Sequence, residues 1–462
     1  MQKQLFYTLL ILLSFTSISS LIAQDSLNMS LVGHWYDSTI QDAGSARRFN
    51  SCGGFSKDGR EYALLGSSQY AIFLDITNPS NITEVGRFGD GVATTWREMK
   101  TYQDHAYFVS DANPSGLMVF DMSALPDTVY RTYFGNEIVG SAHMLNIDTI
   151  NGRLYVCGGS AGNGLFVFDI ATNPSTPTLL SHVNLPGGYV HDLHVKNNIA
   201  YCSHGYNGLY IYDYSDASFP VLLASMQTNG YNHSSWLTKD DRYLLVCEEV
   251  PLGLPMLLID LQNMQSGSLE IVKQFKHPLL ESQDNNCYHN PYVKDDYAWV
   301  ATYEDGVTVW DIQDPLEPSL VGYYKIDGST AYTGYASVWG VYPYLPSGRV
   351  LASDMQRGLY IFESPLNQPI VNNHEAQIGS ADFNFELYPN PAAKFITVDM
   401  SNGGELASAY SISNSAGKEI LKDKVTSRSS RFTVPLNNLE NGIYFLSVNN
   451  GKTITTKKFF KQ

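Results

Sequence analysis

The chain has 462 residues and a net charge of −16 at pH 7, with 16% charged residues, 13% aromatic residues and 31 tyrosines. The acidic balance argues against nucleic acid and anionic membrane surfaces as partners. Few charges and many tyrosines are typical of a β-rich extracellular protein, and the length suits two domains.

Residues 1–24 have the features of a signal peptide. Lys3 supplies a positive start, residues 5–15 form an apolar run, and small residues precede a cleavage point near Ala23. The apolar run is too short to span a bilayer and stop there. No later stretch approaches the length of a membrane span, so we expect an exported mature chain without a transmembrane segment.

A repeated unit of short strands occupies residues 25–364. Its middle strand ends in an acidic residue, which recurs at intervals of 44 residues (169 to 213) to 52 residues (311 to 363). Such a period, with several strands per unit, indicates propeller blades. The acidic side chain is expected to accept hydrogen bonds from N–H groups two residues on. These positions are Asp75, Asp121, Asp169, Asp213, Asp260, Asp311 and Glu363.

A further strand precedes each unit, which gives four strands per blade. The last blade lacks its outer strand. Residues 30–35, SLVGHW, match residues 319–324, SLVGYY, and so predict that the N-terminal strand completes the last blade. Closure of this kind removes two open sheet edges. The fold class is therefore predicted to be all-β, with a seven-bladed β-propeller closed by the N-terminal strand.

The five cysteines are an odd number at wide spacing, which is a poor disulfide framework. Cys157, Cys202 and Cys247 fall on the same strand of three consecutive blades, and we expect them to pack as small apolar residues.

Residues 365–382 are polar, with Pro, Asn and Gly, and read as a linker. Residues 383–462 show alternating strands and predict a small β-sandwich. Several motifs resemble the type A sorting domain of the type IX secretion system. They are Tyr388, Pro389, Asn390 and Pro391, the turn at 416–418, Gly442, Ile443 and Tyr444, and the basic end at 457–461.

This resemblance implies that the type IX machinery recognises the C-terminal domain and exports the chain across an outer membrane. It also implies cleavage of the domain, followed by release or attachment at the cell surface. The mature protein is therefore expected to be secreted or to lie at the outer-membrane cell surface.

The repeat region is similar to the LVIVD-repeat proteins of the choice-of-anchor B family. The match lies in residues 61–64, 96–100, 105–107, 233–238, 289–290 and 341–349. The resemblance implies the propeller architecture and a surface address, and it implies no particular activity.

One position recurs near the start of each innermost strand when the blades are aligned. Innermost strands line the channel of a propeller, so these side chains are expected at one height around one channel mouth. The residues in blades one to seven are Cys52, Glu98, His143, His191, His233, His289 and Trp339. Imidazole and carboxylate are transition-metal ligands, so a metal ion on the axis is one interpretation, with the four histidines and Glu98 as ligands.

The alternative is a polar channel mouth, in which duplicated histidines bind water or cap strand ends. Trp339 and Cys52 are expected to close the mouth by packing. His194 lies three residues beyond His191, so only a bulge, or a reach around the next strand, would bring it to support the site. The acidic pair Glu248 and Glu249 is interpreted as a solvated loop, with calcium binding as the alternative.

Two functions follow from these features. The first is a surface or secreted scaffold that binds an unknown extracellular ligand through its loops. The second is a metal-dependent enzyme of the oxidase, oxygenase or lyase type, with its ion on the propeller axis. Metal analysis of the purified protein discriminates between them.

Overall fold

The computed structural model divides into two units, Met1–Ile370 and Val371–Gln462. It describes residues 26–89, 92–278, 285–327, 335–364, 366, 385–400, 407–414, 419–425, 430–450 and 454–461. The predicted signal peptide, all of the predicted linker except Leu366, and the turn at 416–418 lie outside the described residues. The predicted domain limits therefore stay predictions.

The described residues of the first unit form seven antiparallel sheets, and blades one to five are four-stranded meanders in chain order. The strands of blades one to three are Phe49–Lys57, Arg60–Ser67, Tyr70–Asp75 and Thr83–Gly89; Arg97–Tyr102, His105–Ser110, Leu117–Asp121 and Tyr130–Gly135; Met144–Asp148, Arg153–Cys157, Gly164–Asp169 and Thr178–Asn184. Blades four and five contain Asp192–Lys196, Ile199–Ser203, Leu209–Asp213 and Val221–Met226; Asn232–Leu237, Tyr243–Glu248, Met256–Asp260 and Glu270–Phe275. Short 3₁₀ turns lie at Gly159–Ala161 and Met264–Ser266.

Blades six and seven involve the N-terminus. Their own strands are Asn290–Lys294, Tyr297–Ala301, Val307–Asp311 and Ser319–Tyr324; Val338–Tyr342, Val350–Asp354 and Gly358–Glu363. Ser30–Trp35 pairs with Gly358–Glu363 as the fourth strand of blade seven, as the SLVG match predicts. Ser26–Leu27 adds a fifth strand to blade six, which the sequence did not indicate.

The first strand of each blade contacts the first strand of the next, and the first strand of blade seven contacts that of blade one. These seven strands therefore surround a central channel. Each junction between neighbouring blades holds its own cluster of buried apolar side chains. The core is thus divided among the junctions, and the channel is left for polar groups.

The acidic residue that closes each middle strand has the predicted structural role. In blades one to six its carboxylate accepts a hydrogen bond from the backbone N–H two residues on, at 2.7–3.0 Å. Cys157, Cys202 and Cys247 are fully buried free thiols, as predicted for packing residues.

The second unit is a sandwich of two antiparallel sheets. One contains Glu386–Tyr388, Phe395–Asp399 and Arg431–Pro435, and the other contains Glu419–Lys424, Ala409–Asn414, Gly442–Asn449 and Ile454–Lys461. One apolar cluster contains residues from both sheets, including Ile396 and Leu446. Asn390 accepts a hydrogen bond from the N–H of Phe460 at 2.9 Å, which ties the YPNP segment to the last strand.

Candidate functional site

The side chains at one channel mouth are positioned by β-bulges at the starts of the innermost strands. The N–H of His143 donates to the carbonyl of Cys157, yet it is the following residue, Met144, that pairs with Cys157 in the register. His191 and His289 have the same arrangement in blades four and six. The register also shifts at His233 in blade five and at Trp339 in blade seven. A bulge leaves one residue outside the regular alternation and re-aims its side chain.

These bulge residues form a continuous arc of aromatic rings, which we call the histidine arc. Its members are His143, His191, His233, His289 and Trp339 of blades three to seven. Successive ring centroids lie 4.4, 4.6, 4.3 and 4.5 Å apart. The alignment of the repeats predicted this convergence for all four histidines. Trp339 was expected to close the mouth by packing, and its ring packs directly on that of His289.

The predicted alignment is wrong in blades one and two. In blade two the strand starts without a bulge, because Arg97 pairs with Ser110 and Glu98 with Val109. Glu98 therefore occupies the strand position that Asp192 occupies in blade four, which is one residue beyond the position of the arc histidines. It is buried there, accepts a hydrogen bond from the Trp339 indole N–H at 3.0 Å and lies 3.7 Å from the Lys100 ammonium.

Cys52 lies beyond the bulge of its own strand. In blade one the register shifts between Phe49 and Cys52, so the bulge falls at Asn50 and Ser51. Cys52 pairs regularly with Leu65 and is buried in the apolar cluster between blades seven and one. Burial raises the pKa of its thiol to about 12, which opposes formation of the thiolate that binds metals.

Every histidine of the arc has its Nδ1 atom held by a hydrogen-bond partner. Nδ1 of His233 lies 3.0 Å from the carbonyl oxygen of His289, and Nδ1 of His289 lies 2.8 Å from that of Trp339. A carbonyl only accepts, so both Nδ1 atoms carry the proton and both Nε2 atoms carry a lone pair. Nδ1 of His143 donates to the Asp111 carboxylate at 3.0 Å.

His191 completes this pattern. Its Nδ1 lies 3.1 Å from the hydroxyl of Tyr231, which can accept a hydrogen bond from the Nδ1–H. The Nε2 atoms of His191 and His289 are buried and have no hydrogen-bond partner among the described residues. A buried polar atom left in this way costs about 1–3 kcal/mol, so a bound group that engages it would be favoured.

A carboxylate joins the arc from outside the innermost strands. Glu249 follows the second strand of blade five, and its Oε2 lies 4.0 Å from Nε2 of His233. Ligand-type atoms of His191, His233 and Glu249 all lie within 4.8 Å of one another. Tyr303 holds the carboxylate by donating to its Oε1 at 2.8 Å.

The interpretation of Glu248 and Glu249 as a solvated loop is therefore wrong. Glu248 is buried and accepts the N–H of Gly230 at 2.6 Å, while Glu249 is partly buried against the arc. A sequence signal for Glu249 was its position two residues after Cys247, which the repeats place on the second strand of blade five. The end of that strand lies beside the start of the innermost strand, where the arc residues are.

Burial and neighbouring charges set the protonation of the imidazoles. Burial lowers the pKa of His191 well below its usual 6.5, and the adjacent imidazoles lower it further. Burial also lowers the pKa of His289 well below its usual value, and it lowers that of His233 against the opposing charge of Glu249. These three side chains are therefore neutral at pH 7, which is the form that binds metals.

His143 titrates in the opposite direction. Burial would lower its pKa, but the hydrogen bond and negative charge of Asp111 outweigh burial and raise the pKa above 6.5. Further aromatic side chains lie around this mouth. The ring centroids of Trp96 and His143 lie 6.3 Å apart, as do those of Tyr189 and His191. Those of Tyr206 and Tyr231 lie 4.9 Å apart.

His194 lies away from the arc. A bulge does occur at His191, and the regular alternation that follows it places both Asp192 and His194 on the channel. The His194 ring lies 4.3 Å from that of Trp236 and lines a cavity of about 490 Å³. The hairpin turns that lead away from the innermost strands lie on this cavity, so it forms the opposite mouth of the channel.

Polar side chains on the innermost strands lie in the channel between the two mouths. Glu98, Lys100 and Asp192 line a small space of about 20 Å³, and Lys100 donates to the hydroxyl of Tyr292 at 3.0 Å. Burial raises the pKa of Asp192 to about 7, against the opposing charge of Lys100. The channel is therefore occupied by charged and hydrogen-bonded side chains at its middle.

The fold and the sites define a β-propeller with a polar channel, and sequence comparisons place it more closely. The LVIVD repeat profile matches residues 61–90, 154–185, 187–228 and 292–326, in blades one, three, four and six. The secretion system C-terminal sorting domain matches residues 386–462. The chain is an LVIVD-repeat propeller with a type IX sorting domain. The choice-of-anchor B assignment stays a prediction.

Solved structures share the propeller fold. A structure of U3-55K aligns with a TM-score of 0.51 and 9% identity, over 73% of this chain and 98% of its own. The crystal structure of the RRP9 WD40 repeats also has a TM-score of 0.51 and 9% identity, over 72% of this chain and 97% of its own. At such identities the likeness concerns the fold alone. No curated protein sequence matches the chain.

The sorting domain fixes the destination of the protein. A type IX sorting tail directs export, so the protein is secreted or placed at the cell surface, and the secretion machinery is one of its partners. Among the described residues, no helix combines the length and the hydrophobicity that a membrane crossing requires.

Proposed function

We propose that the exported propeller is a binding scaffold whose functional mouth holds a divalent transition-metal ion on His191, His233 and Glu249. The observation that carries the proposal is the approach of three ligand-type atoms to within 4.8 Å of one another at this channel mouth. Zinc binds nitrogen and carboxylate ligands at about 2.0–2.2 Å, so binding would draw the three side chains together by about an ångström.

The surroundings of these ligands suit a metal. A metal-binding histidine generally donates its other ring N–H to a carboxylate, carbonyl or similar acceptor, which fixes the ring and its tautomer. The Nδ1 atoms of the four arc histidines have hydrogen-bond partners of this kind. Two imidazoles and one carboxylate favour zinc or a related ion over calcium, which prefers oxygen ligands.

A three-ligand site leaves a coordination position for a group from outside the protein. The exposed side chains of Trp96, Tyr189 and Tyr206 stand around the same mouth, where they can contact a bound partner. Aromatic side chains are enriched in binding surfaces because they bury a large area with few torsions. The ion and this rim together provide the proposed surface for an extracellular ligand.

A metal-dependent enzyme is the second candidate, of the oxidase, oxygenase or lyase type. The observation that favours it is the ligand set itself, since three protein ligands and one open position is the usual arrangement of catalytic zinc. The hydroxyl of Tyr231 lies beside His191, and burial raises its pKa to about 12, so it remains a proton donor at neutral pH.

Metal analysis of the purified full-length chain tests the proposal. We expect one equivalent of zinc after dialysis against zinc and then buffer, and its loss in His233→Ala. His34→Ala is the matched control, because His34 lies on the outermost strand of blade seven. Equal metal content in His233→Ala and the wild type would contradict the site. Turnover of a substrate by the zinc-loaded chain would favour the enzyme over the scaffold.

The fate of the exported chain is a separate inference. The sorting domain forms its own sandwich with its own apolar core. Deletion of residues 383–462 is therefore expected to leave a folded propeller in the periplasm, which cell fractionation measures. Normal appearance of the truncated chain outside the cell would show that export does not depend on the sorting domain.

A further inference from the structure

The cavity at the opposite mouth has an aromatic wall. Trp236 projects from the innermost strand of blade five, and its ring lies 4.3 Å from His194 and 4.5 Å from Tyr292. Tyr344 extends the wall, 6.0 Å from Tyr292. The hydroxyl of Tyr344 donates to the carbonyl of Val293 at 2.6 Å, which fixes its ring. The cavity therefore offers a preformed apolar surface made of flat rings.

Polar groups complete the lining. Nδ1 of His194 is buried and has no hydrogen-bond partner among the described residues. Thr101 and Thr149 add hydroxyl groups, and Asn146 adds an amide. A cavity of about 490 Å³ lies within the range of small-molecule sites, in which apolar walls combine with a few polar groups that fix orientation.

The lining carries equal numbers of cationic and anionic side chains, namely Lys100, Lys196 and Lys239 against Asp148, Asp241 and Asp295. Lys100 lies 3.7 Å from Glu98, Lys196 lies 2.5 Å from Asp241, and Lys239 lies 3.4 Å from Asp296. An anionic ligand would have to compete with these carboxylates for the ammonium groups. A cationic ligand would meet Lys100 at the floor of the cavity. The lining therefore favours a neutral ligand that carries many hydrogen-bonding groups.

We propose that this mouth is a second binding site, separate from the histidine arc, and that it takes a neutral saccharide. A pyranose ring has an apolar face that packs against an aromatic side chain and an equatorial belt of hydroxyls that donate and accept hydrogen bonds. The wall formed by Trp236, Tyr292 and Tyr344 can pack against the apolar face of the sugar. Nδ1 of His194 and the threonine hydroxyls can form hydrogen bonds with the sugar hydroxyls.

The test uses the full-length chain on an array of neutral and acidic oligosaccharides, with calorimetry on the strongest neutral oligosaccharide. We expect binding to neutral oligosaccharides, weakened about 10-fold or more by Trp236→Ala. Trp236→Phe keeps a flat ring and should retain most of the affinity. Tyr130→Ala removes an exposed aromatic ring on the outermost strand of blade two and serves as the matched control with unchanged saccharide binding.

Several outcomes would overturn the proposal. They are no binding to any neutral oligosaccharide, binding to acidic oligosaccharides alone, or wild-type affinity in Trp236→Ala. If Trp236→Ala fails to fold, calorimetry on Thr101→Ala decides, because wild-type affinity in that variant would place the ligand elsewhere. His233→Ala separates this site from the proposed metal site, since it should lose zinc and keep saccharide binding.

Discussion

The two mouths of the channel are built from the same seven strands, yet they present different chemistry. At the histidine arc each of five blades contributes a bulge residue, and the side chains converge until neighbouring rings touch. At the other mouth the strands alternate regularly, and a cavity of about 490 Å³ remains between Trp236 and the blades opposite. The extra residue in each bulge thus distinguishes a mouth narrow enough to hold an ion from a mouth wide enough to hold a small molecule.

The difference also explains why the arc is incomplete. Blade two has no bulge, and the bulge of blade one carries Asn50 and Ser51, neither of which brings an aromatic ring. The indole of Trp339 reaches past blade one to Glu98 in blade two. The arc therefore opens on the side of blades one and two, and the ligand-type atoms gather on blades four and five.

The largest expected effect comes from a change that disturbs both mouths together. A chain that starts at Tyr36 lacks Ser30–Trp35 and leaves the outer edge of Gly358–Glu363 unpaired. We expect the thermal midpoint to fall by roughly 10 °C or more relative to a chain that starts at Asn28, because the paired edge strand and the apolar contacts of Val32 and Trp35 are lost. Calorimetry on both chains measures this shift. An unchanged midpoint would show that the N-terminal strand does not support the ring.

The second prediction separates the mouths by changing the arc alone. Glu249→Gln removes the carboxylate beside His233, and we expect zinc affinity to fall by about 100-fold. Glu248→Gln is the matched control, because that neighbouring carboxylate holds the Gly230 N–H. Competition with a fluorescent zinc chelator measures both affinities. A greater loss in Glu248→Gln would assign the ion to another place.

The third prediction concerns a positioning residue. Tyr231→Phe removes the hydroxyl that holds Nδ1 of His191 and keeps the ring that packs edge-on against it. We expect zinc affinity to fall about 10-fold with little change in stability. Tyr206→Phe serves as the control, because Tyr206 contacts Tyr231 from the exposed side. Equal zinc affinities in the two variants would show that the hydroxyl does not orient the imidazole.

The sequence predicts the ring of blades and much of the arc because both follow from the repeat. The closing Asp residues carry the period, and His143, His191, His233 and His289 recur at one point within it. Glu98 and Cys52 were misplaced because a bulge depends on how two strands pair, and a one-residue shift leaves no mark in the period. Glu249 was missed because it reaches the arc from a second strand, through tertiary packing. The cavity beside Trp236 depends on the diameter of the whole ring, which local patterns do not report.

The smallest expected effect distinguishes His143 at one mouth from His194 at the other by pH. His143 lies beside Asp111, with Asp192 and Glu98 also acting on it, and its pKa is raised above the 6.5 of an unfolded histidine. The folded chain thus holds this proton more tightly than the unfolded chain. The stability that His143 contributes is present below pH 6.5 and is lost as the pH rises through the raised pKa.

His194 has the opposite sign. Burial, and then the charges of Lys196 and Lys100, lower its pKa to about 3, against the weaker influence of Asp148. The unfolded chain therefore binds this proton first, and stability is lost as the pH falls from 6.5 toward 3. Between pH 6.5 and pH 5 the loss is at most about 2 kcal/mol. Urea unfolding of the metal-free chain from pH 5 to pH 8 measures both effects. His194→Gln should reduce the slope on the acid side, to which His191, His233 and His289 also contribute, and His143→Gln should flatten the neutral side. Flattening on the same side in both variants would contradict the assignment of opposite signs to His143 and His194.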